Sequence, residues 1–337
     1  MSIKLTIGIP TYNGAKHIGA TIDSIIHNMH PQINNQIEIL VSDNASTDNT
    51  FEIIAEYNIK FPFIISYHRN DSNIGFDANV DQIFHLARGE FVEILGDDDV
   101  LANEALSKIL NTIDLHPDVA VILLSVSFLN YETNQYFKGQ EYTHDILCED
   151  GNSFFTQSKW GTSAISAIII KKNDWLNQNL KQFYNSQWIH IGGLMEILKS
   201  NKKAFIIAEN CVTVRIANPR WEANFGNQLK IGMEHLQLLS HLVKLGYHPS
   251  TFKFFLRSRF NHNLRDILTL RCKRIKDNIP TLKLMVRFFF TKPVFWFIHL
   301  PFLIMPYPVF YIVRNTYKKC NHQTKGAEGK SKRQRLI

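Results

Sequence analysis

Cysteine is scarce: four in 337 residues (Cys148, Cys211, Cys272 and Cys320), too far apart for a metal knuckle or a redox pair. A disulfide scaffold is excluded, and the pattern suits a reducing compartment. No secretory leader opens the chain. Met1-Ser2-Ile3-Lys4 runs directly into apolar residues, so the expected location of this end is cytoplasmic. No G-x-G-x-x-G follows the first apolar run and no phosphate-binding P-loop occurs, which removes the common dinucleotide and nucleoside-triphosphate folds. A nucleophile elbow, G-x-S-x-G, is also missing. Asp43-Asn44-Ala45-Ser46-Thr47 fails the calcium-loop pattern at its third and fifth positions and lacks the glycine.

Acidic residues are nearly absent from the last quarter. Residues 251–337 hold 3 Asp/Glu against 19 Lys/Arg, whereas the first 250 hold 27 against 18. The net charge of +7 therefore conceals an acidic body of −9 and a basic end of +16. A basic end is drawn to anionic surfaces, nucleic acid or lipid headgroups. The acidic body does not have the character of a nucleic-acid binder, and none is expected as a partner. With 45% hydrophobic and 20% charged residues, the chain is neither disordered nor a multi-span membrane protein.

What is present is an alternation. Leu5–Ile9, Ile37–Ser42, Phe63–His68, Phe91–Leu95 and Val119–Val126 have the character of buried strands. Between them lie helical patterns: Lys16 to about Asn28, one after Ser46 or Thr47 carrying Phe51 and Ile54, one carrying Val80, Ile83 and Phe84, and one from about Asn103 to His116. Strands alternating with helices of this length imply right-handed crossovers and a mostly parallel sheet, an α/β fold. Ligands of such sheets bind outside the carboxyl ends of the strands. Pro10-Thr11-Tyr12-Asn13, Asp43-Asn44 and Asp97-Asp98-Asp99 all fall at such ends. Three adjacent carboxylates repel one another, and a divalent cation, which prefers oxygen ligands, is the simplest compensation. An acidic turn capping the next helix is the alternative.

Taken in order, Ile9-Pro10-Thr11-Tyr12-Asn13, Val41 through Asp48, Asn73-x-Gly75 and Gly89-Glu90-Phe91 through Asp99 resemble the GT-A family 2 glycosyltransferases over roughly the first 125 residues. Asn73 through Asn79 together with Leu95 through Asp99 is most similar to abequosyltransferase-like enzymes of surface-polysaccharide synthesis. The resemblance implies a GT-A, Rossmann-like sheet flanked by helices. It also implies a nucleotide-diphosphate sugar as donor and a hydroxyl of a saccharide, in a lipid-linked setting, as acceptor, with inversion at the anomeric carbon. On this basis Pro10, Thr11 and Tyr12 would line the base, Asp43 would accept from a base N–H, and Asn73 belongs to the nucleotide site. Asp97 and Asp98 would meet the nucleotide, and Asp99 would hold Mg²⁺ or Mn²⁺. Gly96 stands where the family pattern has its first aspartate, which leaves open how the three carboxylates divide these roles.

The family's base is an acidic residue just before a helix. The comparable stretch, Asn185-Ser186-Gln187-Trp188-Ile189-His190, has none. His190 is the nearest group able to take a proton near neutral pH, with Glu196 as a weaker candidate. The missing carboxylate keeps open an inactive nucleotide-sugar-binding protein. A metal-dependent nucleotidyltransferase on a similar sheet is the other rival. Asn130–Tyr136 is expected to form a hairpin and Ser163–Ile170 a strand, and Trp160 is taken as a packed aromatic rather than a sugar platform.

The expected organisation is a catalytic domain over 1–225, with a nucleotide-binding half at 1–127 and an acceptor half at 128–225. A helical, basic, membrane-associating extension follows over 226–319, then a basic disordered tail over 320–337. Two helices are expected in 225–270, broken near Gly246–Pro249. Residues 293–313 are aromatic and aliphatic, but Pro301, Pro306 and Pro308 argue against one spanning helix. Flanked by Lys283, Arg287, Lys292, Arg314, Lys318 and Lys319, this run fits a peripheral anchor on the anionic inner face of the plasma membrane.

Overall fold

The computed structural model describes residues 2–62, 64–216, 228–272 and 279–313. They fall into two compact units: 1–225 with 237–255, and 226–236 with 256–337.

The first unit is built on one ten-stranded sheet: β1 (Leu5–Thr11), β2 (Ile37–Asp43), β3 (Ile65–Arg69), β4 (Phe91–Ile94), β5 (Val100–Leu101), β6 (Val119–Asn130), β7 (Tyr136–Lys138), β8 (Ile146–Cys148), β9 (Ile168–Lys171) and β10 (Lys203–Ile216). Its order is β3-β2-β1-β4-β9-β6-β10-β5, with β7 on β6 and β8 on β10. The half carrying β3, β2, β1 and β4 is parallel throughout. Beyond it β9 runs antiparallel to both β4 and β6, so the sheet is mixed rather than mostly parallel. The sheet is continuous across residues 127 and 128, because β6 spans both.

Every residue of β1 and of β2 is buried. That is the signature of a sheet covered on both faces. Helix α1 (Ile18–Asn28) contributes Ile18, Ile22 and Ile25 to the core, and α3 (Phe76–Leu86) contributes Val80, Ile83 and Phe84. Each such side chain adds roughly 1.5–3 kcal/mol by leaving water. Helices α2 (Thr50–Lys60) and α4 (Ala105–Leu115) complete the first crossovers, followed by α5 (Gly151–Ser158), α6 (Lys172–Leu176) and α7 (Ile189–Leu198). A Cβ on Gly192 would lie 2.4 Å from the Phe183 ring and one on Gly193 2.3 Å from Trp175, so the Gly-Gly pair lets α7 approach both rings closely.

Several local expectations shift. β1 runs through Pro10 to Thr11, past the expected end at Ile9; its ladder with β4 ends at Gly8, so Pro10 lies where β1 is paired on one side only, as an edge proline is. Ser163–Ile170 is not one strand. Two 3₁₀ turns, Gly161–Ser163 and Ile165–Ala167, precede a strand that starts at Ile168. Asn130–Tyr136 is the β6–β7 hairpin connection. Trp160 packs edge-on against Phe255 at 5.1 Å.

In the second unit, Phe289 lies 5.1 Å from Phe260 and His299 lies 4.8 Å from the same ring. The long helix that supplies Phe260 runs Pro249–Cys272, and a shorter one runs Ile279–Phe289. Cys320, Lys273, Arg274, Arg314, Lys318, Lys319 and the tail 320–337 lie outside the described residues.

Candidate active site

Thr11 and Asp43 are paired across β1 and β2, and β4 adjoins β1 on the other side. Three parallel strands thus deliver their carboxyl ends to one edge. Thr11 Oγ1 donates to Asp97 Oδ2 at 2.6 Å, and Thr21 Oγ1 on α1 donates to the Asp97 carbonyl at 3.0 Å. The first residue of the acidic run is therefore bound to the end of β1. Gly14 closes this corner: a Cβ there would stand 2.3 Å from Thr11 Oγ1 and 2.4 Å from Asp97 Oδ2.

Asp99 is held from two distant segments. Ser166 Oγ donates to Asp99 Oδ2 at 2.5 Å, and the Arg215 backbone N–H donates to Oδ1 at 2.8 Å. Ser166 Oγ also accepts the Gly96 N–H at 2.9 Å. Burial, and then the neighbouring Asp98 charge, push the Asp99 carboxyl well above the usual carboxylate range, although its two donors pull the other way. A Cβ on Gly96 would sit 3.0 Å from Asp99 Oδ2 and 3.3 Å from Ser166 Oγ. A side chain at 96 would therefore require Asp99 or Ser166 to give way by a few tenths of an ångström. Asp97 and Asp99 are buried, and Asp98 is the more open of the three.

The base-side residues form a second network. Asp43 is fully buried, its Oδ1 accepting from Ser46 N–H at 2.8 Å and Ser46 Oγ at 2.5 Å. Its Oδ2 accepts from Tyr67 Oη at 2.8 Å and from Arg69 Nη1 at 3.3 Å. Burial, with the Asp43 hydrogen bond next, pushes the Tyr67 phenol up to about 12, so it stays a donor. A base N–H reaching Asp43 would compete first with Arg69, the longest of these contacts. Tyr12 is 38% exposed, open enough to present a ring face. Pro10, by contrast, is buried within β1 and offers no such surface. Asn73 is exposed, its Oδ1 accepting from Asn44 Nδ2 at 2.9 Å. Asn44 Oδ1 takes the Ile74 N–H at 2.9 Å and Asn70 Nδ2 at 3.2 Å, and Asn70 also reaches Asn79 at 3.0 Å. This amide network joins Asn44, after β2, to Asn70, Asn73 and Asn79.

His190 departs from its expected role. It lies in the first turn of α7, buried, with neither ring nitrogen hydrogen-bonded. Burial lowers its pKa to about 3. A neutral imidazole with no accessible nitrogen has no route to an acceptor hydroxyl, so the structure does not support His190 as the base. Glu196 is also buried, engaged by Lys199 and by Gln182 Nε2 at 3.2 Å.

Asp77, which lies within the 73–79 motif but to which the resemblance assigned no role, organises the start of α7. Its carboxylate accepts from the N–H groups of Gln187 at 2.8 Å and Ile189 at 3.1 Å. Burial raises the Asp77 pKa while those donors oppose the rise. The loop it holds includes Asn185 and Gln187 at φ 63° and 65°. Two cations belong to segments that adjoin the site: Arg215, whose backbone N–H meets Asp99, and Lys16, which follows Gly14 and Ala15. Arg215 Nη1 meets His17 Nδ1 at 2.9 Å, and Lys16 lies 4.9 Å from the Tyr131 ring centroid while bonding its hydroxyl. Among the described residues neither Lys16 nor Arg215 has a carboxylate partner in an ion pair.

Among the described residues no group of three or more His, Cys, Asp or Glu forms a self-sufficient metal cage. The donor set fits an ion shared with a ligand. Mg²⁺ is commonly held by one or two carboxylates, with phosphate oxygens supplying the rest of the shell. Asp99, with its proton affinity raised by burial and by Asp98, is the carboxylate whose charge a cation would most relieve.

The comparisons agree with this geometry. The family model described as "Glycosyl transferase family 2" matches residues 6–175, half of the chain, and the protein belongs to that family. Abequosyltransferase RfbV of Salmonella typhimurium is 39% identical over 111 residues, covering 33% of each chain. The chain spans about a third of the length of the curated relatives it matches. Among solved structures, Staphylococcus aureus TarS 1–349 in complex with UDP-GlcNAc is similar with a TM-score of 0.62 at 14% identity, over 85% of this chain and 79% of that one. The mannosyltransferase PcManGT of Pyrobaculum calidifontis, in complex with GDP-Man and Mn²⁺, has a TM-score of 0.55 at 16% identity, over 95% and 88% of the two chains. The fold is thus GT-A, with a mixed sheet.

Proposed function

We propose that the protein transfers a sugar from a nucleotide-diphosphate sugar to a hydroxyl of a saccharide acceptor in surface-polysaccharide synthesis, with inversion. The observation that carries this reading is the hydrogen bond joining Thr11 at the end of β1 to Asp97, beside Asp43 at the end of β2. It brings the base-side and acidic motifs of the family together at one sheet edge. Tyr12 offers a face for the base, and Asp43 with Arg69 offers a polar partner for its edge. Mg²⁺ or Mn²⁺, held by Asp99 with Asp97 and Asp98 beside it, would neutralise charge developing on the leaving diphosphate. The acceptor hydroxyl oxygen forms its bond to the anomeric carbon as the bond to the diphosphate oxygen breaks; the diphosphate leaves with that electron pair, and the hydroxyl proton passes to water or to the departing diphosphate. The abequosyltransferase relative supports a sugar as the transferred group, and the bound donors of the structural neighbours support the nucleotide sugar.

The first turn of α7 favours a second reading. It carries no carboxylate, and His190 there is buried. A protein that binds the donor without turnover fits that observation. Incubation with Mn²⁺ and a panel of nucleotide sugars, with and without saccharide acceptors, separates the readings. Release of nucleoside diphosphate with a glycosylated product supports transfer. Donor binding without release supports the binder, and sugar 1-phosphate, the group left behind when the nucleotidyl moiety moves, would indicate nucleotidyl transfer.

A further inference from the structure

The last described stretch of the second unit is an apolar segment with one buried set of side chains and one exposed set. Thr281, Met285, Phe289, Phe295, His299, Leu303 and Phe310 point inward and are buried. Facing out are Phe290 at 58% exposure, Phe297 at 81%, Ile304 at 63% and Ile312 at 65%, with Trp296 and Tyr311 also exposed. Isolated exposed apolar side chains are ordinary, but a run of large ones over some two dozen residues marks an interaction surface.

The backbone says what kind. No single described helix is long and apolar enough to cross a membrane. Phe295–Ile304 and Tyr307–Val313 together have the length and composition, but they are bent by 117° at Met305-Pro306. The ten residues of the first arm rise ~15 Å, about half of a hydrocarbon core. The bend itself is pinned from within the unit: Arg271 donates to the Met305 carbonyl, and its guanidinium lies 5.5 Å from the Phe310 ring centroid. Proline at 306 has no N–H to continue the first arm.

Charge favours one occupant over others. Residues 279–313 contain no Asp or Glu, while Lys283, Arg287 and Lys292 are exposed on the approach to the apolar arms. Cations beside an aromatic, acid-free surface are complementary to a lipid interface carrying anionic headgroups. A protein partner or a second copy would have to supply both an apolar groove and a matching acidic rim.

We propose that residues 290–313 form a bent wedge that enters one leaflet of an anionic bilayer without crossing it. Phe290, Trp296, Phe297, Ile304 and Ile312 are the inserted side chains, with Lys283, Arg287 and Lys292 at the headgroups. The proposal is independent of catalysis, since none of these residues belongs to the first unit.

The test is flotation of the full chain with vesicles of phosphatidylcholine alone or with 30% phosphatidylglycerol, at low and high salt. The triple variant F297E/I304E/I312E alters only exposed positions, and an unchanged helical circular-dichroism signal and thermal midpoint report that it folds. Wild type should float with the anionic vesicles at least tenfold better than the triple variant. It should bind phosphatidylcholine less, with roughly fivefold lost per cation on K283E, R287E or K292E. Quenching of tryptophan emission by bromine placed in the outer acyl chain, abolished by W296L, would place the wedge at that depth. Equal flotation of wild type and triple variant overturns the proposal. So does a wild type that ignores vesicles but self-associates in a way the triple variant abolishes, which would assign the face to a second copy.

Discussion

Ser166 Oγ stands 2.5 Å from Asp99 Oδ2 while accepting the Gly96 N–H, so one hydroxyl ties both ends of the acidic turn to the segment preceding β9. Ser166→Ala removes a donor from a buried carboxylate and leaves a backbone N–H without its acceptor. A hydrogen bond to a charged group is worth about 1.5–3 kcal/mol. The half-saturating Mn²⁺ concentration for transfer should rise about tenfold or more. Losing that donor raises the Asp99 pKa further, so the acid limb of the activity profile should move to higher pH. Metal titrations at two pH values check both effects. An unchanged metal requirement would make Ser166 a packing residue only.

Gly14→Ala is expected to be severe for so small a change. The new methyl would lie within 2.4 Å of both Thr11 Oγ1 and Asp97 Oδ2, separating the pair that joins β1 to the acidic run. Donor affinity by calorimetry should fall tenfold or more while circular dichroism remains that of a folded protein. Gly14→Ala with full affinity would mean that the corner relaxes and that Thr11–Asp97 does not shape the site.

Asp77→Ala leaves the Gln187 and Ile189 N–H groups without their acceptor at a buried helix start. Removing such a cap costs about 0.5–2 kcal/mol, and unsatisfied buried groups add to that. A loss of about 2 kcal/mol in urea unfolding is expected. Turnover should fall with it if the 185–189 loop faces the acceptor. Asp77→Asn, which keeps one acceptor oxygen, should recover part of the stability.

Glu93 supplies the pH prediction. It is buried in β4 with neither carboxyl oxygen hydrogen-bonded, and burial raises its pKa to about 8 from an ordinary 4.5. The folded protein therefore keeps the proton while the unfolded chain releases it. Below pH 4.5 both states are protonated and the group is neutral with respect to stability. Between pH 4.5 and about 8 its contribution becomes steadily more unfavourable as pH rises. Glu93→Gln removes the titration and should be more stable than wild type at pH 7, by an amount on the order of 2 kcal/mol. Parallel wild-type and variant stability curves from pH 5 to 8 would show that Glu93 does not titrate there.

Much of the first half was legible because its physics is local. Alternating apolar strands and amphipathic helices dictate a crossover fold, and polar residues placed after Ile9, Ser42 and Leu95 must gather at one sheet edge once those strands lie parallel. The sequence alone therefore determined the GT-A class, the edge that holds the site, and the membership of Thr11, Tyr12, Asp43 and Asp97–Asp99 in one neighbourhood. It also determined the aromatic, acid-free character of 279–313. What the tertiary structure decided depends on contacts between residues far apart in the chain. Ser166 reaches Asp99 across 67 positions, and the Arg215 N–H reaches it across 116. Asp77 caps a helix that begins 112 residues later. His190 shows the same dependence in reverse. Its residue type suits proton transfer, but the packing of α7 took both ring nitrogens out of water. Spacing can list the groups able to do chemistry, but only the folded chain sets which of them keep a route to solvent and which acquire the partners that fix their charge.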